Sequence, residues 1–157
     1  MASSSLPGIR AMTDAIARLI HEHHTCDDLL ERVEAAARRA DWPAARDHFH
    51  EAEQAMLGHF ELEEERLFPA FEQATGIVHG PTAVMREEHE AMRDLLENCR
   101  SILLLEDAAA LQAELDTLFI LVQQHNVKEE NVLYPLCRAR VPGLAALLAE
   151  PAPAQPA

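Results

Sequence analysis

"HFELEEERLFP", His59 to Pro69, and "HNVKEENVLYP", His125 to Pro135, share one pattern: His, x, x, x, Glu, Glu, x, x, Leu, aromatic, Pro. On a helix, residues four apart lie on one face with a rise of roughly 6 Å, so His59 turns with Glu63 and His125 with Glu129. A surface His/Glu pair is the ordinary reading of either stretch alone. It does not explain the recurrence. A second match falls at the same offset: "EHHTCDDLLE" (Glu22 to Glu31) aligns with "EHEAMRDLLE" (Glu88 to Glu97), which pairs His23 with His89.

These residues interrupt apolar stripes. One stripe reads Met12, Ile16, Leu19, His23, Cys26, Leu30, Val33, Ala37, and another Ala52, Met56, His59, Glu63, Leu67, Ala70. A third reads Met85, His89, Met92, Leu96, Cys99, Leu103, and a fourth Leu111, Leu115, Leu118, Val122, His125, Glu129, Val132, Leu136. The three-and-four spacing is that of a buried helical seam, so the interruptions face inward. Two ionised glutamates there would each cost several kcal/mol in lost hydration. They must protonate, find a base or bind a cation. The stripes carry almost no basic residue, and Arg66 and Lys128 beside the pairs have stems long enough to reach solvent. A divalent cation turns neutral imidazoles and carboxylates into its ligands. The set His23, His59, Glu63, His89, His125, Glu129 can hold two ions if the glutamates bridge and the histidines cap. Nitrogen and oxygen donors without thiolate suit iron or manganese before zinc. Glu64 and Glu130 could add a ligand or accept a hydrogen bond behind the ligands.

The elements that would position them are set off by turn residues. Helix one is expected from about Arg10 to Ala40. Asp41 caps helix two, which Gly76 closes near Ala74, and Gly80-Pro81 opens helix three, which ends near Leu105. Asp107 caps helix four, which runs to about Arg140; after Val141-Pro142-Gly143 a short helix spans Leu144 to Glu150. Residues 1–9 are expected to be flexible, 10–140 to form the helical domain, 141–150 the short terminal helix and 151–157 a frayed tail. The duplication makes helices one and two a copy of helices three and four. The expected fold is all-α: two helical hairpins in an antiparallel up-down four-helix bundle about a pseudo-twofold axis. That axis would set His23 with His89, and the His59/Glu63 pair opposite His125/Glu129. Pro69 and Pro135 lie inside helical patterns and are expected to kink them.

Composition narrows the function classes. A formal net charge of -14 repels nucleic acid and anionic membranes, which argues against both as partners. No run is long enough for a membrane span, and the start, MASSSLPGIR, lacks a signal peptide's apolar core, so the cytosol is the expected compartment. The three cysteines, Cys26, Cys99 and Cys137, lack CxxC spacing and read as buried reduced thiols. No nucleotide motif or substrate pocket marks a turnover enzyme. His21 and His24 share a polar face with Asp28 and Glu31; His24 competes with His23 as the first-helix ligand, but the neighbours of His23 match those of His89. Asp27, whose counterpart is Arg93, reads as a surface residue. His48, His50 and His79 lack a partner motif. Met85 and Met92 read as core residues able to keep water from the centre. Tyr134 could serve redox chemistry, but packing with its counterpart Phe68 is the preferred reading.

In order and separation, the EH of helix one, the HFxxEExxLFP of helix two, the EH of helix three and the HxxxEExxLYP of helix four resemble the hemerythrin-like proteins, the HHE cation-binding domains. The similarity runs from about Thr13 to Leu136. It implies a four-helix bundle holding two iron ions with a bridging oxo, hydroxo or water ligand. It also implies that His23, His59, Glu63, His89, His125 and Glu129 are the ligands, with Glu63 and Glu129 as bridges. Oxygen carriers of the family have a further histidine one turn before the third-helix ligand, where this chain has Met85. The resemblance therefore implies a protein that binds or reacts with oxygen, nitric oxide or peroxide in sensing or stress response, rather than reversible oxygen carriage. The alternative is iron storage, donation or iron sensing without redox turnover. A sensor built this way would pass its signal to a protein partner.

Overall fold

The same device turns each half of the chain. Asp41 Oδ1 accepts the backbone N–H of Ala44 at 3.3 Å, and Asp107 Oδ1 accepts that of Ala110 at 3.0 Å. Each thereby satisfies one of the free amides that open a helix. The residue before each aspartate, Ala40 or Glu106, holds a left-handed backbone, with φ of 56° and 53°. A side chain disfavours that conformation. The two positions are counterparts in the repeat, so the duplication extends to backbone conformation.

The structure, a computed structural model, describes residues 7–149, with side chains from Ala15 onward. The elements are α1 (Pro7–Arg38), α2 (Trp42–Leu62), a π-helical turn π1 (Glu63–Leu67), α3 (Phe68–Thr75), α4 (Pro81–Leu105), α5 (Ala108–Lys128), a second π turn π2 (Glu129–Leu133), α6 (Tyr134–Arg140) and α7 (Leu144–Ala149). The fold is all-helical, with no strand among the described residues. No helix among them is long and apolar enough to cross a membrane. The expected frayed tail, Glu150 and residues 1–6 lie outside the described residues, as does the side chain of Met12. Helix α1 starts at Pro7, three residues ahead of the expected Arg10. Gly76 ends α3 with φ of 74°, the left-handed cap that glycine tolerates best.

Helix α1 packs on α2 and α4 on α5; across the halves, α1 meets α5 and α2 meets α4, while α7 folds back on α1 and π1. The apolar interior forms two clusters. Leu30, Val33, Phe49, Met56, Met92, Leu96 and Leu118 belong to one, and Ile16, Leu19, Phe68, Phe71, Met85, Tyr134 and Leu144 to the other. Along each long helix the chain passes from one cluster to the other through a buried histidine: Leu19–His23–Cys26, Met56–His59–Leu67, Met85–His89–Met92 and Val122–His125–Leu133. The polar layer is sandwiched between two oily ones. All three cysteines are buried and reduced, with burial pushing each thiol up to about 12.

Two expectations for the fourth stripe need correction. Val132 and Leu136, expected inside, are 50% and 39% exposed; Leu133 and Cys137 are buried instead. The π turn holds one more residue than an α turn, so the inward face moves along by one. The expected kinks at Pro69 and Pro135 meet the same feature. Both prolines sit in the first turn of α3 and α6, just beyond a π turn that has already departed from the four-residue hydrogen-bond ladder.

Chemical denaturation checks the turns. Asp41→Ala should cost about 1 kcal/mol through the lost cap. Ala40→Gly should add roughly 0.5–1 kcal/mol by relieving the left-handed strain.

Candidate metal centre

Two π turns aim the glutamates. The N–H of Glu63 points to the carbonyls of both His59 and Phe60, and that of Glu129 to those of His125 and Asn126. Five residues on, the N–H of Phe68 bonds the carbonyl of Glu63, and that of Tyr134 bonds the carbonyl of Glu129. A hydrogen bond spanning five residues brings the side chains at its two ends toward one face. Each glutamate is thus followed on its own face by an aromatic ring.

The six residues singled out by spacing come together. His23, His59, His89 and His125 are each at most 5% exposed, and Glu63 and Glu129 are fully buried. Their donor atoms form two overlapping groups, Glu63, His89, His125, Glu129 and His23, His59, Glu129. The pairing differs from the one expected: His23 lies beside His59, with ring centroids 4.7 Å apart, and His89 beside His125 at 4.8 Å. Each hairpin therefore supplies its own histidine pair, and the carboxylates cross between hairpins. Glu63 Oε1 is 3.3 Å from His59 Nε2 and 3.3 Å from His89 Nε2. Glu129 Oε1 is 3.1 Å from His125 Nε2 and 3.1 Å from His23 Nε2.

These atoms are close but not mutually satisfied. Glu63 Oε1, Glu129 Oε2, His89 Nε2 and His125 Nε2 are buried without a hydrogen-bond partner among the described residues. His23 Nε2 and His59 Nε2 face each other at 3.0 Å, a contact in which only one can carry the hydrogen. Unpaired buried polar atoms are costly, and here they converge on one place. The donor set fits a pair of cations: four imidazoles, two carboxylates able to reach both histidine pairs, and no thiolate.

Behind the imidazoles stands a ring of outer carboxylates. His59 Nδ1 is 2.8 Å from Glu22, and its counterpart His125 Nδ1 is 3.0 Å from Glu88. His23 Nδ1 is 3.2 Å from Glu130, and His89 Nδ1 lies 3.6 Å from Glu64. A carboxylate on the outer nitrogen fixes which ring nitrogen is free to point inward and raises its basicity. Of the two roles open to Glu64 and Glu130, the geometry gives the outer one to Glu130, while Glu64 stands behind His89 beyond hydrogen-bond reach. Glu22 and Glu88 escaped the sequence reading, although their signal was the EH dipeptide itself. Lys128 anchors Glu88, and Arg93 anchors Glu64 while lying over the Phe60 ring.

Tyr134 also sits differently from its reading. It shares an apolar cluster with Phe68, but its hydroxyl enters the polar layer, donating to Glu63 Oε2 at 2.9 Å and lying 3.2 Å from Glu129 Oε1. His24, the competing first-helix candidate, is exposed, as are His21, His50 and His79. Asp27 accepts from Gln123 at 3.1 Å.

The electrostatics show what the bare layer costs. Burial, with the charge of Glu129 beside it, holds Glu63 well above the usual carboxylate range. Burial opposes ionisation of Glu129 too, but the Glu63 carboxyl and the imidazoles of His125 and His23 beside it outweigh it and keep it low. Burial, aided by His125, pushes His89 down to about 3. For His23 burial is overcome by Glu129 and Glu130, which raise it. The signs of the linkage follow. As pH climbs from the ordinary 4.5, the unfolded chain ionises Glu63 while the folded one resists, so Glu63 lowers stability toward neutral pH. As pH falls from the ordinary 6.5 toward about 3, the unfolded chain protonates His89 while the folded one resists, so stability falls on that side too.

In metal-free protein, Glu63→Gln should therefore raise stability at neutral pH by on the order of 1 kcal/mol, with the gain vanishing toward pH 4.5. Urea melts of both proteins across this range measure it.

A profile of the hemerythrin HHE cation-binding domain matches residues 14–137. No curated protein and no solved structure matches the chain. The matched stretch contains His23, His59, His89 and His125, Glu63 and Glu129, and the outer carboxylates, and the chain belongs to the hemerythrin HHE cation-binding family.

Proposed function

We propose that this chain is a non-haem di-iron protein that binds or reacts with oxygen, nitric oxide or peroxide in sensing or stress response. One observation carries the reading: Glu63, His89, His125 and Glu129 bring ligand atoms within 4.8 Å of one another, and each has a buried side-chain atom without a hydrogen-bond partner among the described residues. His23, His59, Glu63, His89, His125 and Glu129 would be the ligands, with Glu63 and Glu129 bridging. Each of these glutamates already reaches a histidine of both pairs. The contacts of α1 with α2, α2 with α4, α4 with α5 and α5 with α1 support an antiparallel up-down four-helix bundle over residues 10–140 as the scaffold. Buried reduced thiols suit the cytosol.

Two iron ions would supply reversible electron transfer and an open coordination position for a small ligand. The chain's own residues do the rest. Glu22, Glu88 and Glu130 hold imidazoles in the tautomer that frees the inner nitrogen. Phe60 stacks on His89 at 4.1 Å between ring centroids and Phe68 at 5.7 Å, which shields that side from water. Met85 and Met92 flank the same histidine along α4, each at most 2% exposed.

A second reading, iron storage, donation or sensing, draws on the cost of the empty layer. A site that strains the metal-free fold couples iron supply to folding, and the folding state could be read by a protein partner.

Metal analysis of native protein should find about two irons per chain; zinc alone or no metal would overturn both readings. Mixing the reduced protein with oxygen or nitric oxide in a stopped-flow spectrometer should change the iron spectrum. A silent spectrum, with iron-dependent melting retained, would favour the second reading. Glu22→Gln and Glu88→Gln should each weaken iron binding by about 10–100-fold while preserving the fold.

A further inference from the structure

The six buried ligand candidates and the outer glutamates keep their residue type between the two halves. His23 pairs with His89, His59 with His125, Glu63 with Glu129 and Glu22 with Glu88, but Phe68 stands where the second half has Tyr134. Both rings are fully buried and both follow a π turn. Only one carries an oxygen.

That oxygen lies among the donors of one histidine pair. Tyr134 Oη is 3.2 Å from His23 Nε2, 3.4 Å from His59 Nε2, 2.9 Å from Glu63 Oε2 and 3.2 Å from Glu129 Oε1. His23 Nε2 is in turn 3.0 Å from His59 Nε2 and 3.1 Å from Glu129 Oε1. Donors that share one ion with bonds of about 2.1 Å sit about 3 Å apart along an octahedral edge. Packing alone would not require a hydroxyl here, as Phe68 shows. A single hydrogen bond to Glu63 would not require the phenol to stand at edge length from four donors at once.

We propose that Tyr134 is a fifth protein donor at the His23/His59 metal position, and that the exogenous ligand therefore binds at the His89/His125 position. The inference rests on the di-iron reading and deepens it. The first position has two imidazoles, two carboxylates and a phenolate. The second has two imidazoles and the same two carboxylates, with the rings of Phe60 and Phe68 stacked on His89 rather than a further donor. On coordination the phenol gives its proton to solvent, and the Tyr134 Oη–metal bond replaces the hydrogen bond to Glu63. Glu63 is then free to bridge.

The chain contains one tyrosine, so any phenolate signal has one source. The full-length protein is loaded with ferrous ion without oxygen, its iron content is measured, and it is then oxidised in air. Wild type should show a visible tyrosinate-to-iron(III) charge-transfer band, with phenolate modes in its resonance Raman spectrum. Tyr134→Phe should lose both while retaining bound iron. A two-iron wild-type protein with no such band, or a Tyr134→Phe protein that keeps it, overturns the proposal and leaves the di-iron reading intact. Failure to take up iron overturns both. Phe68→Tyr provides the second arm, by placing a hydroxyl at the mirrored position. Azide should bind oxidised wild type and Tyr134→Phe, and bind Phe68→Tyr at least tenfold more weakly. Unchanged azide affinity in Phe68→Tyr overturns the placement of the open position.

Discussion

Two carboxylates with no exposed surface, facing each other across the interior, set the terms for everything around them. Neither Glu63 nor Glu129 is met by a lysine or arginine among the described contacts; their neighbours are imidazoles, a phenol and each other. Without a cation, one of the two is driven to hold a proton and His89 is driven to lose one. A protein evolved for stability alone would do better with leucine at these places. The layer persists between two well-packed apolar clusters, and the outer carboxylates on the imidazoles make sense only if the inner nitrogens have something to face.

Much of this was legible in the residues. The repeat identified the six inward groups because its two copies test each other: a surface pair has no reason to recur at a fixed offset inside apolar stripes. Turn chemistry placed the helix starts at Asp41, Pro81 and Asp107 for the same kind of reason, each residue satisfying or lacking a particular backbone group. Within the first three stripes every described leucine, methionine and cysteine named is buried.

What was missed has a common cause. Periodic patterns assume an uninterrupted α-helix, and the π turns at Glu63–Leu67 and Glu129–Leu133 break that assumption at the site itself. Past π2 the assumed face was wrong, so Val132 and Leu136 were turned inward on paper and outward in the fold. The same turn swings Tyr134 from simple packing into the polar layer. Glu22 and Glu88 were hidden differently. A glutamate next to an inward histidine projects toward the helix flank, and only the neighbouring helix reveals that His59 or His125 is waiting there. The histidine pairing was misjudged because a repeat gives symmetry partners, whereas contact partners depend on which helices are adjacent.

The crossing of the carboxylates has one more consequence. Glu63 leaves the first hairpin to touch His89 of the second, and Glu129 leaves the second to touch His23 of the first. Neither hairpin owns a complete set of donors, although each carries a full copy of the repeated pattern. An ion seated in either place would act as a rivet through both halves, resisting their separation in a way that no ion bound within one hairpin could. The duplication thus made two half-sites interdependent: what reads as redundancy along the chain is, in three dimensions, a single joint that one copy cannot make alone.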